Sequence, residues 1–524
     1  MVRPLPLQNM LDKAIAYVSP KMAVQRMMHR QALSIAGGYT GARVDRAALR
    51  NFNPAEGSPN VDIIRDLKIL RGRSRDLVRN STVACGAVNT IGSHVIGTGL
   101  SVSPAINIDI LGLTADEAEE WQETTKARYE LWASSKDCHL QRMFNLYQIQ
   151  GLAFRSMLES GDSFTLTPIT EINGKTQLAL QLLEGDHICN ENYSADSEEC
   201  VAGIKIDKNT GAPISVMIAK NHPGDYRGGN TWEERPIRGE KTGRLNVIQL
   251  FEPLRPGQLR GVPIIAPIIE PIKQLARYTD AELSAAVLSG LFSIFTKMDA
   301  EAFDDIFDED TKESMINKAS AWDGRIEGNQ VVNLLPGESI EQVNPGRPNP
   351  QFDPFFQAIM RQIGMALELP VEVLTMHFQS SYSAARASML MAWRMFRRRR
   401  DLMISTWCQP IYELWLDNEV AQGRISAPGY FADDLTKYAW RNAQWLGDGP
   451  GSIDPMKDVA AAERRIDIGI STKDAESIAY DGRPWREKNE QRAREIAKEK
   501  ENGTYVQPGA IPSTSTVTTA PEKE

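Results

Sequence analysis

Residues 350–420 read PQFDPFFQAIMRQIGMALELPVEVLTMHFQSSYSAARASMLMAWRMFRRRRDLMISTWCQPIYELWLDNEV. The spacing predicts two helices with a polar break between them. The first, Asp353 to Leu369, is apolar and stops at Pro370, because the residue before a proline is pushed out of the helical region. The break, His377 to Ser383, holds Gln379, Ser380, Ser381, Tyr382 and Ser383. Its serines are good N-caps for a second helix running to about Asn418. In that helix Met389, Trp393, Phe396, Met403, Trp407, Ile411 and Leu414 recur at steps of three, four or seven, a helical period. At 1.5 Å per residue it would span roughly 50 Å. Pro410 predicts a kink inside it. It also carries four consecutive arginines, Arg397, Arg398, Arg399 and Arg400.

Upstream, Ile264 to Leu288 is helical, with prolines only near its start, at Pro267 and Pro271. Residues 291–347 change character: an acidic patch (Asp304, Asp305, Asp308, Glu309, Asp310), a short helix, β-like VVNLLPG and a Pro/Gly loop predict a small α/β insertion. Before them, residues 60–260 alternate helices with short strands. Asp62 opens a helical stretch, Leu100 to Ser103 reads as a strand, and Thr114 with Glu117 forms a capping box. A helix from Phe144 to Glu159 leads into strands at Ser163–Pro168, Gln177–Leu183, Gly203–Ile206, Ile214–Ala219 and Val247–Glu252, with Lys208 to Gly211 as a hairpin turn. Downstream, helices are expected at Asp433–Trp445, Pro455–Ile468, after a Ser471/Asp474 cap, and at Trp485–Lys500. Residues 1–60 read as a basic, extended or partly ordered arm, and 501–524 as disordered by composition. The fold class is α+β, predominantly helical.

The 524 residues suggest about three or four domains. Hydrophobic residues make up 42% and charged ones 24%, enough to bury a large core. A net charge of −9 argues against a protein whose whole surface grips nucleic acid, while allowing a local basic patch or an acidic pore. Five scattered cysteines without a CxxC pair exclude a disulfide framework and point to a reducing compartment. The first twenty residues lack an apolar h-region, so no signal peptide is expected. The longest apolar run, Leu283 to Thr296, is too short to cross a membrane.

Motifs for covalent chemistry are lacking. Gly97-Thr98-Gly99 misses the third glycine of a dinucleotide loop and follows a helix instead of a strand. Gly161-Asp162-Ser163 matches the nucleophile triplet of GDS-type hydrolases, but no histidine follows His377, and a helix-to-strand turn is the stronger reading. His187 beside Asp186 and near Glu184 reads as a hydrogen-bonding residue, since HxxxH spacing is missing. We therefore assign no catalytic, cofactor or metal residues. Four successive arginines point around most of a helix, so they cannot all face one ligand. They fit a solvated face, pairing with acidic groups between subunits, or phosphate contact. The uncharged break at Gln379, Ser380, Ser381 and Tyr382 can touch a phosphate backbone without gripping it, because tight binding needs many cations.

Five blocks together resemble the lambda-type bacteriophage portal proteins. They are RSRDLVRNSTVACGAVNT (Arg73 to Thr90), FEPLRPGQLRGVP (Phe251 to Pro263), NPGRPNPQFDPF (Asn344 to Phe355), MALELPVEVLTMHFQSSYSAARASMLMAWRMFRRRR (Met365 to Arg400) and the Trp-rich segment from Ala439 to Trp485. None is catalytic, but they stand in the family's order between Leu67 and Trp485.

The resemblance implies a portal fold of wing, stem, clip and crown, assembled into a ring, usually of twelve copies. Its segments would be an arm (1–60), a wing (61–263), stem helices (264–290 and 348–370), a clip (291–347), the tunnel loop with the long helix (371–430), crown helices (431–500) and a tail (501–524). It implies a head–tail connector at a capsid vertex, assembled in the host cytoplasm, through which DNA is packaged and ejected. Implied partners are further copies of the chain, the terminase large subunit, major capsid protein and scaffold, head-completion or tail-connector proteins, and duplex DNA, with no membrane and no cofactor. The tunnel-loop residues Gln379, Ser380, Ser381 and Tyr382 would face DNA, and Arg397 to Arg400 would knit subunits. The alternatives are a hydrolase on Gly161-Asp162-Ser163 and a nucleic-acid-binding scaffold without a ring.

Overall fold

A computed structural model of the chain separates into two compact units, Met1–Ser58 and Pro59–Glu524. It describes residues 15, 17–35, 40–42, 46–49, 51–172, 174–225, 229–290, 294–298, 308–311, 338–342, 349–378, 381–451 and 454–505. In the first unit a helix, α1 (Pro20–Ile35), stands where the sequence suggests an extended or partly ordered arm.

The second unit opens with α2 (Pro59–Asn80) and α3 (Thr82–Val95), separated at Ser81, whose hydroxyl accepts the Ala84 amide. Strand β1 (Ser101–Pro104) and the short α4 (Ile108–Leu111) lead to α5 (Ala115–Ser134). The Thr114/Glu117 capping box forms as its sequence requires. A second box, Asn145 with Gln148, starts α6 (Leu146–Ser160) two residues later than the apolar pattern suggests.

After α6 come β2 (Asp162–Leu166), β3 (Ile169–Ile172), β4 (Lys175–Leu178), β5 (Gln181–Glu184), β6 (Cys200–Val201), β7 (Ile204–Ile206), β8 (Pro213–Ala219), β9 (Trp232–Pro236) and β10 (Val247–Phe251). They form antiparallel sheets ordered β10-β2-β5, β6-β7-β8-β9 and β3-β4. Strand β2 is central, and all five of its residues are buried. The β7–β8 hairpin closes at the expected turn, where the Asp207 carboxylate accepts the Asn209 and Thr210 amides at 2.9 and 2.8 Å.

Helix α7 (Ile269–Gly290) pairs with α8 (Phe352–Leu367). The pairing is antiparallel: Asn349 donates to Glu282 at 2.8 Å, and Tyr278 packs on Phe352 and Phe355. Strands β11 (Ile294–Met298) and β12 (Glu338–Gln342) pair in the insertion between them. The VVNLLPG run and Asp304 and Asp305 lie outside the described residues.

Helix α8 ends with Glu368 in the left-handed region (φ 60°) and the Leu369 amide donating to the Gly364 carbonyl at 2.8 Å, a Schellman closure made without glycine. A short α9 (Val371–Thr375) follows, then α10 (Tyr382–Met403) and α11 (Gln409–Ala421). Between the last two, Ile404–Cys408 is a π-turn. Pro410 has no N–H to continue an ordinary ladder, and the wider turn stands immediately before it. Trp407 anchors the turn by donating its indole N–H to the Thr165 hydroxyl at 2.9 Å.

The chain continues through α12 (Asp434–Arg441), β13 (Ala443–Leu446), α13 (Pro455–Asp467), α14 (Lys473–Asp481) and α15 (Trp485–Glu501). A helix reaching Trp445 is corrected here. Residues Ala443–Leu446 leave the helix after Asn442 and pair antiparallel with Ser101–Pro104, a tertiary partner that local periodicity cannot see. The expected strand Gln177–Leu183 is two strands with different neighbours, β4 on β3 and β5 on β2. The cap of α14 is Thr472, not Ser471; Asp474 instead accepts the Trp485 amide at 2.8 Å. The main core joins α3, α5, α6 and the α8–α11 stretch around Tyr129, Phe396, Trp407, Tyr412 and Trp415. A smaller one lies between the two larger sheets around Phe164, Ile188 and Val216.

Candidate functional site

The break between α9 and α10 leaves Met376 in the left-handed region (φ 53°) and largely exposed, as are His377 and Phe378. Gln379 and Ser380 lie outside the described residues. Ser381 is the N-cap of α10, but its hydroxyl makes no capping bond there; its backbone carbonyl accepts the Ala385 amide at 2.9 Å. Tyr382 keeps 44% of its surface exposed, with the Lys457 ammonium 5.8 Å from its ring centroid. One turn on, Arg386 donates to Asp458 at 2.8 Å, so the first turn of α10 is held against α13.

The four arginines have four different environments, as a 100° step per residue demands. Arg397 is exposed and has no partner among the described residues. Arg398 bridges Glu368 at 2.7 Å and Glu252 at 3.3 Å. Arg399 is 4% exposed and reaches Glu252 at 3.4 Å. Arg400 lies over the Trp393 ring and donates to the carbonyls of His94, Val95 and Asp448 at 2.8, 2.9 and 3.0 Å. The first two acceptors belong to the last turn of α3, where a cation meets both unpaired carbonyls and the negative end of the helix dipole. As a group, Arg398 to Arg400 bind α10 to the end of β10, the end of α8 and the end of α3, all within one chain. The partner carboxylates Glu252 and Glu368 carry no sequence signal, since nothing in a charge pattern reports neighbours 146 and 30 residues away, well beyond one helix.

A second arginine cluster, absent from the sequence reading, sits under β2. Asp162 is fully buried and accepts Arg71 Nη2 at 2.6 Å and Arg260 Nε at 2.7 Å. Arg260 is 1% exposed; it also donates to the Gly185, Ile188 and Ala202 carbonyls and lies over the Phe164 ring. Burial alone would raise the Asp162 carboxyl, but Arg260 and Arg71 more than offset it and hold it below the ordinary carboxylate range. Gly185 must lack a side chain, because a Cβ there would lie 2.0 Å from Asp162 Oδ1. This settles the Gly161-Asp162-Ser163 triplet. Gly161 (φ 94°) turns α6 into β2, Asp162 serves two arginines, and the buried Ser163 hydroxyl donates to the Ala153 carbonyl at 3.1 Å. The hydrolase alternative finds no support in that arrangement.

Glu184, Asp186 and His222 converge closely enough to hold a cation. Arg75 already stands there, 3.1 Å from Glu184 and 2.5 Å from Asp186. His187 Nδ1 lies 2.8 Å from the Ala219 carbonyl, the hydrogen-bonding role its sequence context suggests.

Comparison with known proteins gives a consistent result. The family model described as phage portal protein, lambda family, matches residues 45–400. Portal protein B of Escherichia phage lambda is 26% identical over 490 residues, covering 89% of this chain and 91% of that protein. The portal protein of Escherichia phage N15 is 26% identical over 493 residues, with the same coverage of 89% and 91%. Among solved structures, the neck of a native gene transfer agent particle computed with C12 symmetry matches with a TM-score of 0.41 and 10% identity, covering 80% of this chain and 94% of that one. The virion of the native gene transfer agent particle matches at 0.40 and 12%, covering 82% and 96%.

Proposed function

The chain belongs to the lambda family of phage portal proteins, and from that membership we propose that twelve copies close into a ring at one capsid vertex, through which duplex DNA enters the head and later leaves it. The family match over residues 45–400 carries the reading. The ring is the head–tail connector. It docks the terminase large subunit, major capsid protein and scaffold during assembly in the host cytoplasm, and head-completion or tail-connector proteins afterwards.

On this reading α2 through β10 form the wing, α7 and α8 the stem, residues 291–347 the clip, and α12 to α15 the crown. The break before α10 is the tunnel loop. Its residues Gln379, Ser380, Ser381 and Tyr382 carry no charge. A charge of −9 per copy favours a wall along which a polyanion slides. The chain acts as a conduit and not as an enzyme; the work of packaging comes from the docked motor.

Negative-stain imaging of the purified chain tests the ring: a twelve-fold annulus with a central hole is expected, and single compact particles would overturn it. Deleting Gln379 to Ser381 tests the loop. Rings should persist while packaged DNA falls, and normal packaging would remove the loop from that role.

A further inference from the structure

The loop-bearing end of the molecule also carries an uncovered apolar surface. Between the last turn of α8 and one face of α10 lies a groove of about 710 Å³, floored by Met365, Leu369, Val371, Met391 and Met395. Met365 is 79% exposed and Met391 67%. Just past α9 the chain raises Met376 and Phe378, exposed by 72% and 48%. Knob and groove are therefore both open within one copy, and contiguous apolar surface of this kind marks a contact. The rim adds a charge argument. Arg361 and Arg394 have no carboxylate partner among the described residues, and Glu372, one turn before the knob, has no cationic partner among them.

We propose that the Met376–Phe378 turn of one copy seats in the groove of the next, with Glu372 brought to Arg361 and Arg394. The proposal rests on the ring reading above. In a closed rotational ring the contact is heterologous, so the two mating surfaces must lie at one radius and one height. The turn and the groove meet this condition, because only α9 separates them at the shared end of α8 and α10. Another exposed apolar set, Phe431, Leu435 and Tyr438, does not. It follows α11, about 45 Å from Met391 along the helix axis. The left-handed backbone at Met376 lifts the knob away from its own α9, which fits a side chain presented outward.

Methionine oxidation by peroxide, followed by mass spectrometry, reads the contact in the wild-type chain. Exposed thioethers oxidise freely and buried ones slowly, so Met365, Met376 and Met391 should react on the order of tenfold more slowly in the ring than in the dissociated chain. Co-expressing Phe378→Cys copies with Met391→Cys copies identifies the partner. Mild oxidation should give covalent dimers in the mixture and none in either variant alone or in wild type, because a disulfide needs its β-carbons about 3.5–4.5 Å apart. Wild-type rings whose methionines react at the dissociated rate overturn the proposal and leave the ring reading intact. So do mixed rings without covalent dimers. If the cysteine copies assemble poorly, the wild-type oxidation rates decide alone. Wild-type chains that never form rings overturn both readings.

Discussion

Two arginine clusters divide the labour in this chain. Under β2, Arg71 and Arg260 enclose Asp162 with every group sealed from water. On α10 the run Arg397 to Arg400 grades from open to sealed within a single turn. The sealed cluster holds the α+β region to α2 and can do nothing else. In the graded one, the outermost member has no ion-pair partner among the described residues and is free to meet something beyond the chain. The difference shows that a basic run on a helix does not announce a ligand. It announces several neighbours, most of them internal.

The sharpest way to break this contrast is Asp162→Asn. It removes the countercharge from two buried guanidinium groups, and breaking a buried pair from one side costs about 3–5 kcal/mol. Urea unfolding should show a loss of that size. A loss below about 1 kcal/mol would mean that water or another carboxylate reaches the cluster.

Acid titration sharpens the same point. The Asp162 carboxyl is held below its ordinary range in the folded chain, so its contribution is complete above the unfolded carboxylate value of about 3.9. It is lost as pH falls from there through the folded value. Asp186, half-buried, near the Arg71 charge and paired with Arg75, shifts in the same direction. Stability measured from neutral pH down to pH 3 should fall with a slope that becomes shallower in Asp162→Asn. An unchanged slope would assign the acid transition to other carboxylates.

Legibility in the sequence follows the range of the forces involved. The helices around the polar break were readable because apolar period, caps and prolines act within a few residues. The same is true of the Thr114 box and the Asp207 turn. The Arg71–Asp162–Arg260 cluster was not, because its members are 91 and 98 residues apart and each looks ordinary locally. Strand β13 was missed for the same reason, its partner being β1. At the site, the loop was visible as a polar interruption, whereas the roles of the four arginines depend on Glu252, Glu368 and the end of α3.

A smaller effect is expected at Arg400. Arg400→Ala leaves two carbonyls at the end of α3 without their cation, and charge-assisted bonds of this kind contribute about 1.5–3 kcal/mol together. Hydrogen exchange should quicken at residues 94–99 while β2 keeps its protection. Arg400→Lys should restore part of the loss, since an ammonium lacks the planar fork that reaches three carbonyls at once. Equal protection in Arg400→Ala would remove the cap from the account.

The smallest effect on stability, and the most telling comparison, belongs to Arg397. Exchanging Arg398 and Arg399 for glutamate cannot separate ring assembly from folding. Arg399→Glu would bury a carboxylate beside Glu252, and Arg398→Glu would set three acidic groups together. Arg397 is free of that confusion because it has no hydrogen-bond or ion-pair partner among the described residues. Arg397→Glu should leave urea unfolding within about 0.5 kcal/mol of wild type, as for other exposed substitutions. If the outermost arginine contacts a neighbouring copy, the same variant should raise the concentration at which rings form, and added salt should raise it in wild type too. If it contacts DNA instead, rings should form normally while DNA retention changes. Normal rings with unaltered packaging would make Arg397 a solvated residue, leaving the whole run as internal bracing for the helix behind the loop.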